Sequence, residues 1–142
     1  MKISYFHVAQ DVPPSSHPEV AVVIDVLRAT TTMACALHHG ADSIHFFADI
    51  EELRVKASSF PRESRLLLGE RAGKKVEDFD LGNSPAKLSP DLVTGKKIFM
   101  TTTNGTRALQ RVRDVENLFT MSLINRKAVG EKLISLESNE VI

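Results

Sequence analysis

At 142 residues with 42% hydrophobic content, the chain has material for one domain with a real core and too little for two ordinary ones. Eighteen basic residues balance eighteen acidic ones, which excludes a net field drawing the protein to nucleic acid or an anionic membrane, so any anion binding has to be local. The single Cys35 rules out an internal disulfide, MKISYFHVAQD is too short an apolar stretch for a signal peptide, and no apolar run nears the roughly 20 residues of a membrane span, so a cytoplasmic protein is expected.

Residues 2–9 read as a first strand and residues 11–18, rich in Pro and Ser, as a loop. Residues 20–24 are continuously apolar, the pattern of a strand covered on both faces, and a helix follows from about Thr30 to near Gly40, where glycine suits a left-handed cap. Residues 43–47 read as a strand, 49–59 as an amphipathic helix capped by Asp49, and 65–69 as a strand. A polar stretch and a short helix over 90–94 lead to a strand at 97–100 and a helix at 106–112. Residues 116–121 and 123–136 give one more strand and helix, and Glu140 to Ile142 looks like the opening of a further strand, as in a truncated chain. Strands alternating with helices predict an α/β fold, a layered α/β/α domain with a mainly parallel sheet.

Parallel sheets bind ligands beyond the carboxyl ends of their strands. Applied here, that rule gathers Asp25, Arg28, Thr30, Thr31 and Thr32 after one strand, Glu70 and Arg71 after another, Thr101 through Thr106 after a third, and Ser122 and Asn125 after a fourth. Taken singly, Asp25 reads as a helix cap, Glu70-Arg71 as a surface ion pair, and the 102–106 hydroxyls as strand and capping residues. Their shared rim favours function. Hydroxyls, backbone N–H groups and planar arginines hold tetrahedral oxyanions, and carboxylates beside an anion call for a cation, of which Mg²⁺ needs the fewest protein ligands. TTTNGT, residues 101–106, then reads as an oxyanion cradle.

Other chemistries fail on spacing. No G-x-x-x-x-G-K-[ST] occurs, Cys35 lacks an arginine six residues on because Ala41 stands there, and Asp25 is followed by Val26 and Leu27 rather than by an aspartate two residues away. His38 and His39 are adjacent on a helix and do not form a metal pair.

In this order, "VVIDVLRATTT", "LLLGERAGKKVEDFDLGNSP" and "TTTNGTRAL" resemble the 2-phosphosulfolactate phosphatase family, and "SLINRKAV" resembles a further family segment. The likeness covers most of residues 22–128. It implies a Mg²⁺-dependent acid phosphatase of α/β architecture acting on (2R)-phospho-3-sulfolactate, a step of coenzyme M biosynthesis, or on another small phosphorylated hydroxy acid. Family members continue past the position of Ile142, so the single α/β domain of residues 1–142 is expected to be the N-terminal part of a longer phosphatase, and a non-catalytic anion-binding fragment is the alternative. With the resemblance, Asp25 and Glu70 are the expected metal ligands, joined by Asp80, and Asp25, Glu70, Arg28 and Arg71 the catalytic set. Thr30, Thr31, Asn83, Ser84, Thr102, Asn104, Gly105 and Thr106 are expected to bind substrate. Whether Asp25 attacks phosphorus or holds the metal stays open, with attack by water the favoured course. The expected partner is a small phosphorylated, sulfonated or carboxylated metabolite, with no nucleic acid or membrane, and self-association stays open.

Overall fold

A computed structural model describes residues 1–13 and 18–142, so the expected loop over 11–18 lies in part outside the described residues. Strand β1 (Lys2–Ile3) is followed by a 3-10 turn (Ala9–Asp11), β2 (Val20–Ile24), α1 (Ala29–His38), β3 (Ser43–Phe46) and α2 (Ile50–Ser58). Next come β4 (Arg65–Arg71), β5 (Lys74–Lys75), a 3-10 turn (Pro85–Lys87), α3 (Pro90–Val93), β6 (Lys97–Thr101), α4 (Gly105–Arg111), β7 (Asn117–Met121), α5 (Arg126–Ser135) and β8 (Glu140–Val141).

The α/β alternation is present, and the strands divide into two sheets. One runs β1-β8-β2-β7 with parallel pairings, and the other runs β3-β6-β4-β5, parallel except for β5. Asp49 caps α2 as expected, its carboxylate accepting the Glu52 N–H at 2.8 Å. Two expectations need correction. The first strand shrinks from residues 2–9 to Lys2–Ile3, and the chain then turns away along the sheet; β5 is an added hairpin strand, paired Glu70 with Lys75 and Arg71 with Lys74.

Alternation along β6 shows how the layers are built. Ile98 and Met100 join Ala21, Val23, Met33, Leu66, Leu68 and Leu109 in a core shared by both sheets, while Phe99 points the other way, with Leu53 and Ala57 of α2, Val76 and Phe79. On β2, Ala21 and Val23 enter the shared core. The other face was expected to be covered as well; instead Ile24 is 53% exposed and that face borders an apolar groove of about 380 Å³, lined also by Ile3, Phe6, Val8 and Ile142. The segment after β1, Ala108 and Arg111 of α4 and Leu133 of α5 complete the lining, so the apolar run is covered at Val20 and open at Ile24. The groove includes neither Asp25 nor Glu70.

Candidate active site

The carboxyl ends of β2 and β7 are in register, Ile24 opposite Met121, and so are those of β4 and β6, Gly69 opposite Thr101. The turn after β6 joins the two rims. Gly105 packs so closely on the first rim that a Cβ there would lie 2.4 Å from the Ala29 Cβ, 2.8 Å from Asp25 Oδ2 and 3.2 Å from Thr102 Oγ1. Two residues earlier, Thr103 holds the acid of the second rim: its N–H donates to Glu70 Oε1 at 2.6 Å and its hydroxyl to Oε2 at 3.1 Å. Glycine is required at position 105 because any side chain would collide with Asp25 and α1.

The two acids differ electrostatically. Burial pushes the Asp25 carboxyl above its ordinary value and the Glu70 charge adds to this, against the backbone N–H groups of Ala29 and Arg28 and the Arg28 charge. Burial acts on Glu70 in the same direction, but the N–H groups of Thr103 and Gly73, the Thr103 hydroxyl and the Arg71 charge outweigh it and hold Glu70 below its ordinary value. Glu70 is thus the readily ionised member and Asp25 the member that keeps its proton longer.

The expected oxyanion donors fare unequally. Thr30, fully buried, donates to the Met121 carbonyl at 2.7 Å and accepts the Asp25 N–H at 3.0 Å. Thr31 donates to the Val26 carbonyl at 2.7 Å. Thr106 donates to the Thr102 carbonyl at 2.8 Å and accepts the Thr102 N–H at 3.1 Å. A hydroxyl has one hydrogen, so none of these three can donate to an anion in this arrangement; they stitch the strand-to-helix junctions. Thr102 Oγ1, by contrast, only accepts, from Thr106 N–H at 3.1 Å, which leaves its own hydrogen uncommitted among the described residues. Asn104 is exposed at the start of α4 and its side chain makes no capping bond.

Arg28 stands at the start of α1, and its guanidinium has no hydrogen-bond partner among the described residues. Arg71 donates to the carbonyls of Glu70 and Ala48, both at 2.9 Å, and to Thr101 Oγ1 at 2.8 Å, so it ties three segments together. A parallel bridge between Leu68 and Leu81 leads residues 81–84 toward the same rim as β4. Asn83 arrives there 6% exposed with Oδ1 unpartnered, and the adjoining Ser84 precedes the Pro85–Lys87 turn without a side-chain cap. Asp80 is not brought to the acid pair. Its carboxylate takes both Arg62 NH groups and the Leu67 N–H at 2.7 Å, toward the start of β4, so it belongs to a structural ion pair. No group of three or more His, Cys, Asp and Glu converges on a metal position among the described residues.

Residues absent from the expected set are Thr103 and the Ala72–Gly73 turn. Gly73 N–H donates to Glu70 Oε2 at 2.8 Å and Ala72 N–H to Thr103 Oγ1 at 3.2 Å. Thr103 stands inside the motif, but its partner is 33 residues away, a pairing that no local pattern signals.

Among the described residues no helix is long and apolar enough to cross a membrane. Residues 6–142 match a family profile described as 2-phosphosulpholactate phosphatase. A protein of Prochlorococcus marinus named "Probable 2-phosphosulfolactate phosphatase" is 59% identical over 142 residues, which is 100% of this chain and 58% of the relative. Two relatives of the same name, from Synechococcus sp. (strain WH7803) and Synechococcus sp. (strain JA-3-3Ab), are 57% and 50% identical, each over 94% of this chain and 56% and 55% of their own length. The chain therefore spans little more than half the length of these relatives.

Proposed function

The chain belongs to the 2-phosphosulpholactate phosphatase family, and from that premise we propose that the protein is a phosphoric monoester hydrolase converting 2-phosphosulfolactate to sulfolactate and phosphate with Mg²⁺ as cofactor. The observation that carries this reading is the turn after β6, which touches Asp25 with one residue and grips Glu70 with another, joining two acids from two sheets.

The donor set fits Mg²⁺. Both acids offer hard oxygen, and Mg²⁺ is satisfied by one or two carboxylates with water and substrate oxygens completing the shell. Glu70 is also nearly buried, at 8% exposure, yet its hydrogen bonds and the Arg71 charge keep it readily ionised, so it presents a charged, fixed oxygen to a cation. When bound, Mg²⁺ supplies positive charge to the phosphoryl oxygens. Asp25 and Glu70 hold it, Arg28 faces the substrate with its uncommitted guanidinium, and Thr102, Asn104, Asn83 and Ser84 supply polar contacts. Arg71, Thr30, Thr31 and Thr106 keep the rim in shape. Water attacks phosphorus, the bond to the sulfolactate oxygen breaks, and that oxygen takes up a proton; most of the acceleration lies in neutralising charge on the transferring group.

The substrate class is a small phosphorylated metabolite bearing a sulfonate or carboxylate, in the cytoplasm, with no nucleic acid or membrane involved. A second reading is an anion-binding unit that binds without turnover. Phosphate release from 2-phosphosulfolactate and from phospholactate, with Mg²⁺ and with a chelator, tests both readings in the protein carrying this chain. Release that needs Mg²⁺ and falls about a hundredfold or more in Asp25→Asn and Glu70→Gln is expected. Parental rates in both variants would remove the acid pair from the mechanism, and binding without release would select the second reading.

A further inference from the structure

The hairpin between β4 and β5 is only two residues long, and both adopt left-handed backbone, Ala72 at φ 49° and Gly73 at φ 79°. Such turns favour Asn-Gly or Gly-Gly, and alanine with positive φ is strained. Strain of this kind persists where the surroundings over-determine it, and here the surroundings are identifiable. The turn aims Gly73 N–H at Glu70 Oε2 and Ala72 N–H at Thr103 Oγ1, while Thr103 passes its own hydroxyl hydrogen on to Oε2 and its N–H to Oε1. A carboxylate has about four acceptor positions. Both Oε2 positions and one Oε1 position are occupied by neutral donors, which leaves one position on Oε1 for a ligand.

Among the described residues no cation of the chain fills it. Lys75, opposite Glu70 in the hairpin, sends its ammonium to the Phe79 carbonyl at 2.5 Å, and the Arg71 guanidinium goes to two carbonyls and Thr101. Lys74, the other cation of the hairpin, is exposed and forms no ion pair with Glu70.

We propose that Thr103 and the Ala72–Gly73 turn form a clamp that fixes the Glu70 carboxylate, with Thr103 as a positioning residue for a divalent cation. The cation half of this rests on the Mg²⁺ reading given above; the clamp half rests on geometry alone. Partners that orient a ligating carboxylate typically carry a tenfold to hundredfold share of metal affinity. Thr103→Val keeps the shape and removes the hydroxyl, and Thr103→Ser restores it.

The experiment compares the parent, Thr103→Val and Thr103→Ser by amide hydrogen exchange at Gly73 without metal and by calorimetric titration with Mg²⁺ alone. Thr103→Ala replaces the valine variant if that one does not fold. The expected result is faster exchange at Gly73 and about tenfold or greater loss of Mg²⁺ affinity in Thr103→Val, with Thr103→Ser within about threefold of the parent. Equal exchange and equal Mg²⁺ affinity in Thr103→Val and parent would overturn the clamp while leaving the phosphatase reading in place. A parent that binds no Mg²⁺, yet loses Gly73 protection in Thr103→Val and regains it in Thr103→Ser, would overturn the magnesium reading and uphold the clamp.

Discussion

Asp25 and Glu70 make opposite contributions to stability in the metal-free protein. The Asp25 carboxyl lies above its ordinary 3.8, so between that value and its folded pKa the folded state binds more protons than the unfolded chain, and stability falls as pH rises through that window. Glu70 lies below its ordinary 4.5, so its contribution is present above that pH and is lost as pH falls through the lower, folded value. Thermal melts at pH 7 with a chelator should therefore show Asp25→Asn above the parent and Glu70→Gln below it, the first difference fading toward pH 3.8 and the second shrinking below pH 4.5. A melt in which both variants shift the same way at pH 7 would contradict this division. Gly105→Ala, which drives a methyl into Ala29 and Asp25, should cost about 1–3 kcal/mol in denaturant titration, as overpacking does. At this scale the sequence placed the two acids and Gly105 at one rim. It did not show that the hydroxyls of Thr30, Thr31 and Thr106 are engaged by backbone carbonyls, because a hydroxyl at a strand-to-helix junction finds one within reach.

At the level of elements, the two arginines separate. Arg71 joins the end of β4 to the segment before α2 and to β6, whereas Arg28 opens α1 with its fork uncommitted. Arg71→Lys should lower the melting temperature by the loss of about 1–3 kcal/mol, with little change in KM. Arg28→Lys should melt like the parent and lose roughly tenfold to a few hundredfold in kcat/KM if the guanidinium grips phosphate. Elements with a strong period or a clear cap, such as β2, α2 with Asp49, and β6, were legible in the chain. β5 was not, because Lys74 and Lys75 carry no strand pattern and pair only through the strained turn. Asp80 pairs with Arg62, which precedes β4 in a segment without periodicity, so their ion pair left no local signal in the sequence.

For the whole molecule, alternation of strands and helices sufficed to predict the layered α/β class, while the division into two sheets followed from long-range pairing that no window of sequence contains. That pairing also sets an order of assembly. The parallel part of the second sheet lies within residues 43–101 and Thr103 follows directly on it, so Glu70 and its housing can be built from one continuous stretch ending at residue 103. The first sheet joins Lys2 to Glu140 and Val20 to Val141, so its closure waits for residues 140–141 and for the slowest, longest loops. Pulsed hydrogen exchange during refolding should show Leu66 to Leu68 and Ile98 to Met100 protected before Val20 to Ile24; simultaneous protection would mean a single nucleus spanning both sheets. On the ribosome the same wiring means that one acid finds its place while the other, encoded earlier, is still solvated and waiting for its neighbours to be made.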